Sequence, residues 1–257
     1  MKQFIIITGG SKGLGQELAK HFSHKSDVTV IIIGRNIAAL KETSAYNPSK
    51  INYIQTDIGT SQGRHKIIES LPSNAKISYI IHNAAVLEAC ELKDLSLESW
   101  HYQLAVNLDA PIFLTQQLLP HISENGRILN ISTGFAHKPA QGLAPYCISK
   151  SALYMAYQCL ALELKKYNVF VGSLSPGLID TSMQERLRSL NEKVFPMLPA
   201  FLSFKEDKKL RAPSLVAKFV EWVLCKTDPL QFSAQEWNID DVTHHANWLY
   251  KNDNIEV

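Results

Sequence analysis

Short, continuous runs of β-branched apolar residues alternate along this chain with longer amphipathic stretches, and that alternation constrains the fold more than any other feature. The runs are Phe4–Thr8, Val28–Gly34, Ile51–Thr56, Ile77–His82, Gly126–Ser132 and Val169–Ser175, with a weaker seventh near Ser233–Ile239. A strand with one wet face alternates apolar and polar residues, whereas one that is apolar throughout is covered on both faces. Helical patterns are expected between the runs at Leu14–Ser23, Ile37–Tyr46, Ser61–Leu71, Leu97–Leu119 and Pro145–Lys166. Strand–helix–strand repetition means right-handed crossovers on a parallel sheet. The expectation is an α/β fold: a doubly wound parallel sheet with helices on both faces. No linker composition divides it, so a single domain is expected over 1–257.

Two stretches break the regularity. Pro111 falls inside the Leu97–Leu119 pattern, where it removes a backbone hydrogen bond and is expected to kink the helix. The segment at about 181–212 scatters Met183, Leu187, Phe195, Met197, Leu198, Phe201 and Phe204 around two prolines, Pro196 and Pro199, and reads as an insertion that covers a site.

Composition narrows the function classes. Hydrophobic residues make up 46% and charged residues 19%, so the chain has ample core material and is not a disordered one. A net charge of +2 does not suggest a nucleic-acid binder. The four cysteines, Cys90, Cys147, Cys159 and Cys225, form no CxxC pair and have no neighbouring His at metal spacing, so neither a disulfide framework nor a metal site is expected. The apolar run after Met1 and Lys2 is too short for a signal segment, and no stretch reaches transmembrane length. A soluble, reduced, cytoplasmic protein without membrane partners is the expectation.

The first strand runs into Thr8-Gly9-Gly10-Ser11-Lys12-Gly13-Leu14-Gly15 and then a helix. Glycines there let the backbone turn tightly and approach a pyrophosphate, while the helix N-terminus offers free N–H groups and partial positive charge. The spacing is T-G-x-x-x-G-x-G; alone it could be a mere structural turn, but a strand before and a helix after make it a Rossmann-like dinucleotide site. The second strand ends in Gly34-Arg35-Asn36. A site for NAD usually carries a carboxylate there for the ribose 2′-hydroxyl, and a 2′-phosphate needs cations instead. Lys12 and Arg35, with no acidic neighbour in sequence, favour NADP(H) over NAD(H), the plainer reading being two solvated basic residues.

After the fifth strand come Asn130-Ile131-Ser132-Thr133 and then Tyr146-Cys147-Ile148-Ser149-Lys150. Tyr146 and Lys150, four apart, share one helix face. An ammonium close to a phenol favours the phenolate and so eases proton exchange, and a strand-end hydroxyl can hold a carbonyl oxygen in line. In isolation such a pair is more often a surface contact.

Thr8–Gly15, Asn83-Ala84-Ala85, Asn107, the Ser132/Thr133 hydroxyls, Tyr146-x-x-x-Lys150 and Pro176-Gly177 stand in the order and spacing of the short-chain dehydrogenase/reductase family, which the chain resembles over about residues 4–182. The resemblance implies that Tyr146 donates and accepts the proton, that Lys150 lowers its pKa and binds the nicotinamide ribose, and that Asn107 holds a water linking the lysine to solvent. It implies that the glycine turn (Gly9, Ser11, Lys12, Gly13, Leu14, Gly15) takes the adenosine end and that Asp57, followed by Ile58, contacts adenine. Asn83 would pack near the cofactor, Pro176 and Gly177 would line it, and Ile179 and Thr181 would touch the carboxamide. The family's catalytic serine lies thirteen residues before the tyrosine, which here is Thr133. Ser132 is adjacent, and strand alternation should turn it the other way. Thr133 is therefore assigned the role, with Ser132 the alternative, and Ala85 stands where glycine is common.

Within the family, Gly142–Cys147 and Ser175–Gln184 look most like the sepiapterin reductase and benzil reductase branch, implying NADPH-dependent reduction of a ketone or vicinal dicarbonyl. The Glu236–Asp241 stretch lacks the glycine-rich close of 3-oxoacyl thioester reductases, the first alternative. A non-catalytic nucleotide-sensing protein on the same fold is the second, disfavoured by the intact Tyr146, Lys150 and Asn107. The pocket is expected to be apolar, with Phe135, His137, Cys90, Met183 and Leu187 around it. Surplus apolar residues on the two long helical patterns (Leu104, Leu108, Leu153, Met155, Tyr157, Leu160) point to a homodimer or homotetramer, through the helices that make the family's dimer face.

Overall fold

Seven parallel strands form one sheet in the order β3-β2-β1-β4-β5-β6-β7. They are β1 (Gln3–Thr8), β2 (Val28–Gly34), β3 (Ile51–Gln55), β4 (Lys76–His82), β5 (Ile122–Ile131), β6 (Phe170–Ser175) and β7 (Glu236–Asn238). The helices are α1 (Gly13–Phe22), α2 (Ile37–Ala45), α3 (Ser61–Glu69), α4 (Leu97–Leu104), α5 (Ala110–Leu118), α6 (Ala144–Leu164), α7 (Ser182–Arg188), α8 (Leu198–Glu206), α9 (Pro213–Lys226), α10 (Pro229–Ala234) and α11 (His245–Trp248). This computed structural model describes residues 3–249; residues 1–2 and 250–257 of the expected domain span, with Met1 and Lys2 of the N-terminal reading, lie outside the described residues.

The continuous apolar runs have the expected cause. Along β1, Ile5 and Ile7 join one core with α1, α9 and Trp237, while Ile6 joins the other with Ile31, Ile80, Leu114 and Tyr157. Successive side chains face opposite cores, so neither set can be polar. The fold is the doubly wound single domain that the alternation requires.

Three details differ from the sequence reading. The Leu97–Leu119 pattern is not one helix but α4, a π-helical turn over Ala105–Asp109, and α5, with Pro111 in the first turn of α5, where its missing N–H costs least. Helix α9 had not been expected, although Val216, Val220, Val223 and Leu224 give it a helical apolar stripe against α1. Strand β7 is only three residues long, because Ser233 belongs to α10.

Candidate active site

All strand C-termini lie at one edge of a parallel sheet, and a cavity of about 730 Å³ opens there. Its first wall is the glycine turn. Gly9 and Gly13 adopt φ of +71° and +57°, in the left-handed region where a side chain is costly. A Cβ on Gly15 would sit 2.3 Å from the Gly9 carbonyl oxygen and 2.6 Å from Asn83 Nδ2. Asn83 braces this turn, its Nδ2 donating to the Thr8 and Gly9 carbonyls at 3.0 and 3.3 Å. Helix α1 starts at Lys12 with no side-chain cap and no acidic residue in its first turn, whereas Asn36, Thr60 and Ser96 cap α2, α3 and α4. Uncapped N–H groups beside positive-φ glycines form a cradle that fits a dinucleotide pyrophosphate.

Gly9, Ser11, Lys12, Gly13 and Leu14 line the cavity, and Gly15 sits behind them. Arg35, Asp57 and Ile58 line the cavity too, as do Asn83, Pro176, Gly177, Ile179 and Thr181. One expectation is corrected here. Arg35 has no acidic neighbour in sequence, but in space its Nη1 lies 3.9 Å from Asp57 Oδ2 and donates to the Tyr102 hydroxyl. The sequence reading had missed Tyr102 and Val106, which line the cavity one helical turn apart.

Tyr146, Lys150, Thr133 and Ser132 meet in the middle of the cavity. Helix α6 presents Tyr146 and Lys150 on its buried face, 6% and 3% exposed, and Lys150 Nζ donates to the Ile131 carbonyl at 2.8 Å, fastening α6 to the end of β5. Burial pushes the Tyr146 phenol up to about 12, and its hydrogen bond with Thr133 pulls the other way. The expected lowering by Lys150 is not among the influences on the phenol: burial dominates, and it takes Lys150 itself down to about 8. Thr133 thus touches the phenol, while the Ser132 hydroxyl is buried with no partner among the described residues. Asn107 stands outside the cavity wall, fully buried. Its Oδ1 accepts from Val86 N at 2.8 Å and its Nδ2 donates to the Val86 carbonyl and to Ser149 Oγ, so it ties the loop after β4 to α6.

His82, also missed, lies close enough to feel the Lys150 charge. Burial first, and that ammonium second, push it down to about 3, and its Nε2 meets Thr115 Oγ1 at 2.9 Å. It is a neutral imidazole at any working pH.

Beyond Tyr146 the cavity wall is mostly apolar, with Lys138 and Gln184 among its polar members. Phe135 from the β5–α6 loop faces Met183 and Leu187 of α7, and Met197, Phe201 and Phe204 in and beside α8. Phe135 and Phe201 lie with rings parallel, centroids 6.5 Å apart. Cys90 and His137, expected at this pocket, are elsewhere: the Cys90 amide bonds the Gly142 carbonyl, and exposed His137 pairs with Glu236 at 2.5 Å. Among the described residues, no cluster of His, Cys, Asp and Glu could hold a metal ion, and no helix is long and apolar enough to cross a membrane.

A dinucleotide cradle at one end of the sheet edge and a tyrosine–lysine–hydroxyl set beyond it define a nicotinamide-dependent oxidoreductase site. The short chain dehydrogenase family model matches residues 3–192, and the chain belongs to that family. Benzil reductase ((S)-benzoin forming) of Bacillus cereus is 32% identical over 234 residues, 86% of this chain and 94% of that protein. A short chain dehydrogenase/reductase from Saccharomyces cerevisiae superposes with a TM-score of 0.88 at 23% identity, covering 96% of this chain and all of that one. The L-sorbose reductase of Gluconobacter frateurii, solved with NADPH and L-sorbose, gives 0.78 at 21% identity, covering 92% of this chain and 94% of that one.

Proposed function

We propose that this protein reduces a ketone or vicinal dicarbonyl with NADPH, using Tyr146 as the general acid. The observation that carries the reading is the placement of Tyr146, Lys150 and Thr133 together on the cavity wall, between a pyrophosphate cradle and a mostly apolar pocket. The likeness to a benzil reductase over most of both chains supports the same carbonyl chemistry.

Gly9, Ser11, Gly13, Leu14 and the N-terminus of α1 would hold the pyrophosphate, Asp57 and Ile58 the adenine, and Arg35 and Lys12 a 2′-phosphate. Pro176, Gly177, Ile179 and Thr181 would flank the nicotinamide. The bound cofactor supplies a hydride to the carbonyl carbon. The chain's own residues then do the following. Thr133 hydrogen-bonds the carbonyl oxygen and aligns it with the phenol. Tyr146, kept protonated by burial, gives its proton to that oxygen as negative charge develops there. Lys150, one turn on from Tyr146 on the buried face of α6, would hold the nicotinamide ribose, and Asn107 fixes α6 against the loop after β4 so that this arrangement holds. Phe135, Phe201 and α7 exclude water from the reacting atoms.

Tyr146→Phe removes the proton and keeps the ring. Followed as NADPH oxidation at 340 nm with a reactive diketone, kcat is expected to fall about 10²- to 10⁴-fold with cofactor affinity unchanged. Retention of most of the wild-type kcat would overturn the assignment.

The reading includes a cytoplasmic homodimer or homotetramer. Ile148, Met155 and Leu162, seven residues apart on α6, are 48%, 58% and 79% exposed, whereas Leu153 and Tyr157, named from the sequence, face inward. A monomer by light scattering at micromolar concentration would refute the assembly.

A further inference from the structure

Tyr102 belongs to α4, a helix that carries none of the nucleotide motifs, yet its side chain reaches the cavity beside Asp57. There the hydroxyl does two things at once. It donates to Asp57 Oδ2 at 2.9 Å and accepts from Arg35 Nη1. The second Asp57 oxygen is occupied by the Gly59 amide at 2.9 Å, and the Arg35 carbonyl accepts from Gln55 Nε2 at 3.1 Å. The guanidinium also lies over the Tyr102 ring, 5.7 Å from its centroid.

Arg35 is otherwise a long, exposed side chain with many rotamers. Held by Nη1 alone, it keeps Nε and Nη2 unbonded among the described residues, and that edge is the one shaped for two-point contact with phosphate. The phenol also stands between two opposite charges. Arg35 and Asp57 remain 3.9 Å apart, and without the hydroxyl between them the guanidinium can close on the carboxylate directly and spend its fork there. Burial and the bond to Asp57 both keep Tyr102 protonated, so its proton stays on the Asp57 side and its lone pairs face Arg35.

We infer that Tyr102 is a positioning residue for Arg35, and through it sets discrimination between cofactors with and without a 2′-phosphate. The inference rests on the reading of Arg35 as a 2′-phosphate ligand and extends it to a residue outside the nucleotide motifs.

The test is isothermal titration of the full-length protein with NADPH and with NADH, for wild type, Tyr102→Phe, Arg35→Ala and the double variant. Phenylalanine keeps the ring that packs on Gly59, and a melting curve checks that the fold is intact. Tyr102→Phe is expected to weaken NADPH by about three- to tenfold, the ordering of one long side chain, with NADH moved less than about twofold. In the Arg35→Ala background the same change should leave the NADPH/NADH ratio where it was. Wild type binding both cofactors equally would overturn the 2′-phosphate reading and this inference together. A wild-type preference that Arg35→Ala abolishes but Tyr102→Phe leaves untouched would overturn the inference alone. An equal loss for both cofactors would make Tyr102 merely a wall of the adenosine pocket, and tighter NADPH binding would make it a competitor of the phosphate; either result overturns the inference.

Discussion

At the glycine-turn end of the cavity most polar groups are paired, the open N–H groups at the start of α1 excepted, and near the ends of β4 and β5 several side-chain atoms are not. Gly9 and Gly10 N–H groups both reach the Ile33 carbonyl, Asn83 holds two turn carbonyls, and each oxygen of Asp57 has a donor. At the other end, His82 Nδ1, both amide atoms of Asn130 and the Ser132 hydroxyl are buried without a partner among the described residues, and His82 and Asn130 are direct neighbours in register. Unpaired buried polar groups cost about 1–3 kcal/mol each. The glycine-turn end is thus braced by its own hydrogen bonds, whereas the Lys150 end holds buried polar atoms that no described residue satisfies. Strained or unsatisfied groups collect where chemistry is done.

This contrast gives three expected outcomes. The largest is at the binding end. Gly15→Ala puts a methyl group into the Gly9 carbonyl, and is expected to weaken cofactor binding roughly a hundredfold while destabilising the fold by about 2–4 kcal/mol. A variant binding within threefold of wild type would show that the turn can yield.

Next comes the choice of hydroxyl. Thr133→Ala is expected to lower kcat about ten- to a hundredfold by removing the donor that aligns the carbonyl. Ser132→Ala should change it less than about threefold, and should leave the melting temperature level or raised, since it deletes an unpaired buried hydroxyl. The reverse ranking would reassign the role to Ser132.

The smallest effect, and of opposite sign, is stability at Lys150. Its pKa is about 8 folded and about 10.4 unfolded, so below pH 8 folding carries the full cost of a buried charge. Between pH 8 and about 10.4 the unfolded chain binds more protons, and stability rises with pH. Lys150→Met should therefore abolish turnover and yet stabilise the protein by about 1–3 kcal/mol at pH 7, the gain fading as pH climbs through that window. A lower melting temperature for the variant at pH 7, unchanged at pH 10, would mean that the Ile131 contact outweighs the burial cost.

The sheet was legible because both faces of each strand had to be apolar, and the glycine turn and the Tyr146–Lys150 pair because short spacings survive folding. Tyr102 and His82 were not, since nothing local to either reveals that α4 lies beside Asp57 or that β4 ends near Lys150. Helix α9 is legible in the period of Val216, Val220, Val223 and Leu224, but the irregular apolar segment before Pro213 obscures where that period begins. Cys90 and His137 failed as pocket residues because nearness in sequence to the β4 and β5 ends says nothing about which way a loop turns.

The π-helical turn at Ala105–Asp109 has a consequence for how this protein can change over generations. The Ala110 N–H donates to the Ala105 carbonyl, five residues back, so the turn holds one residue more than an α-helix needs. Each residue of an α-helix advances the face by about 100°. Losing one residue here would restore a regular helix but swing Tyr102 away from Asp57 or Asn107 away from Val86, because the two lie on opposite sides of the extra residue or within it. Insertions and deletions in surface loops such as the one leading into α8 leave both attachments untouched, while a change of length between Tyr102 and Asn107 does not. A homologue of altered length in that interval would have had to give up one of the two attachments.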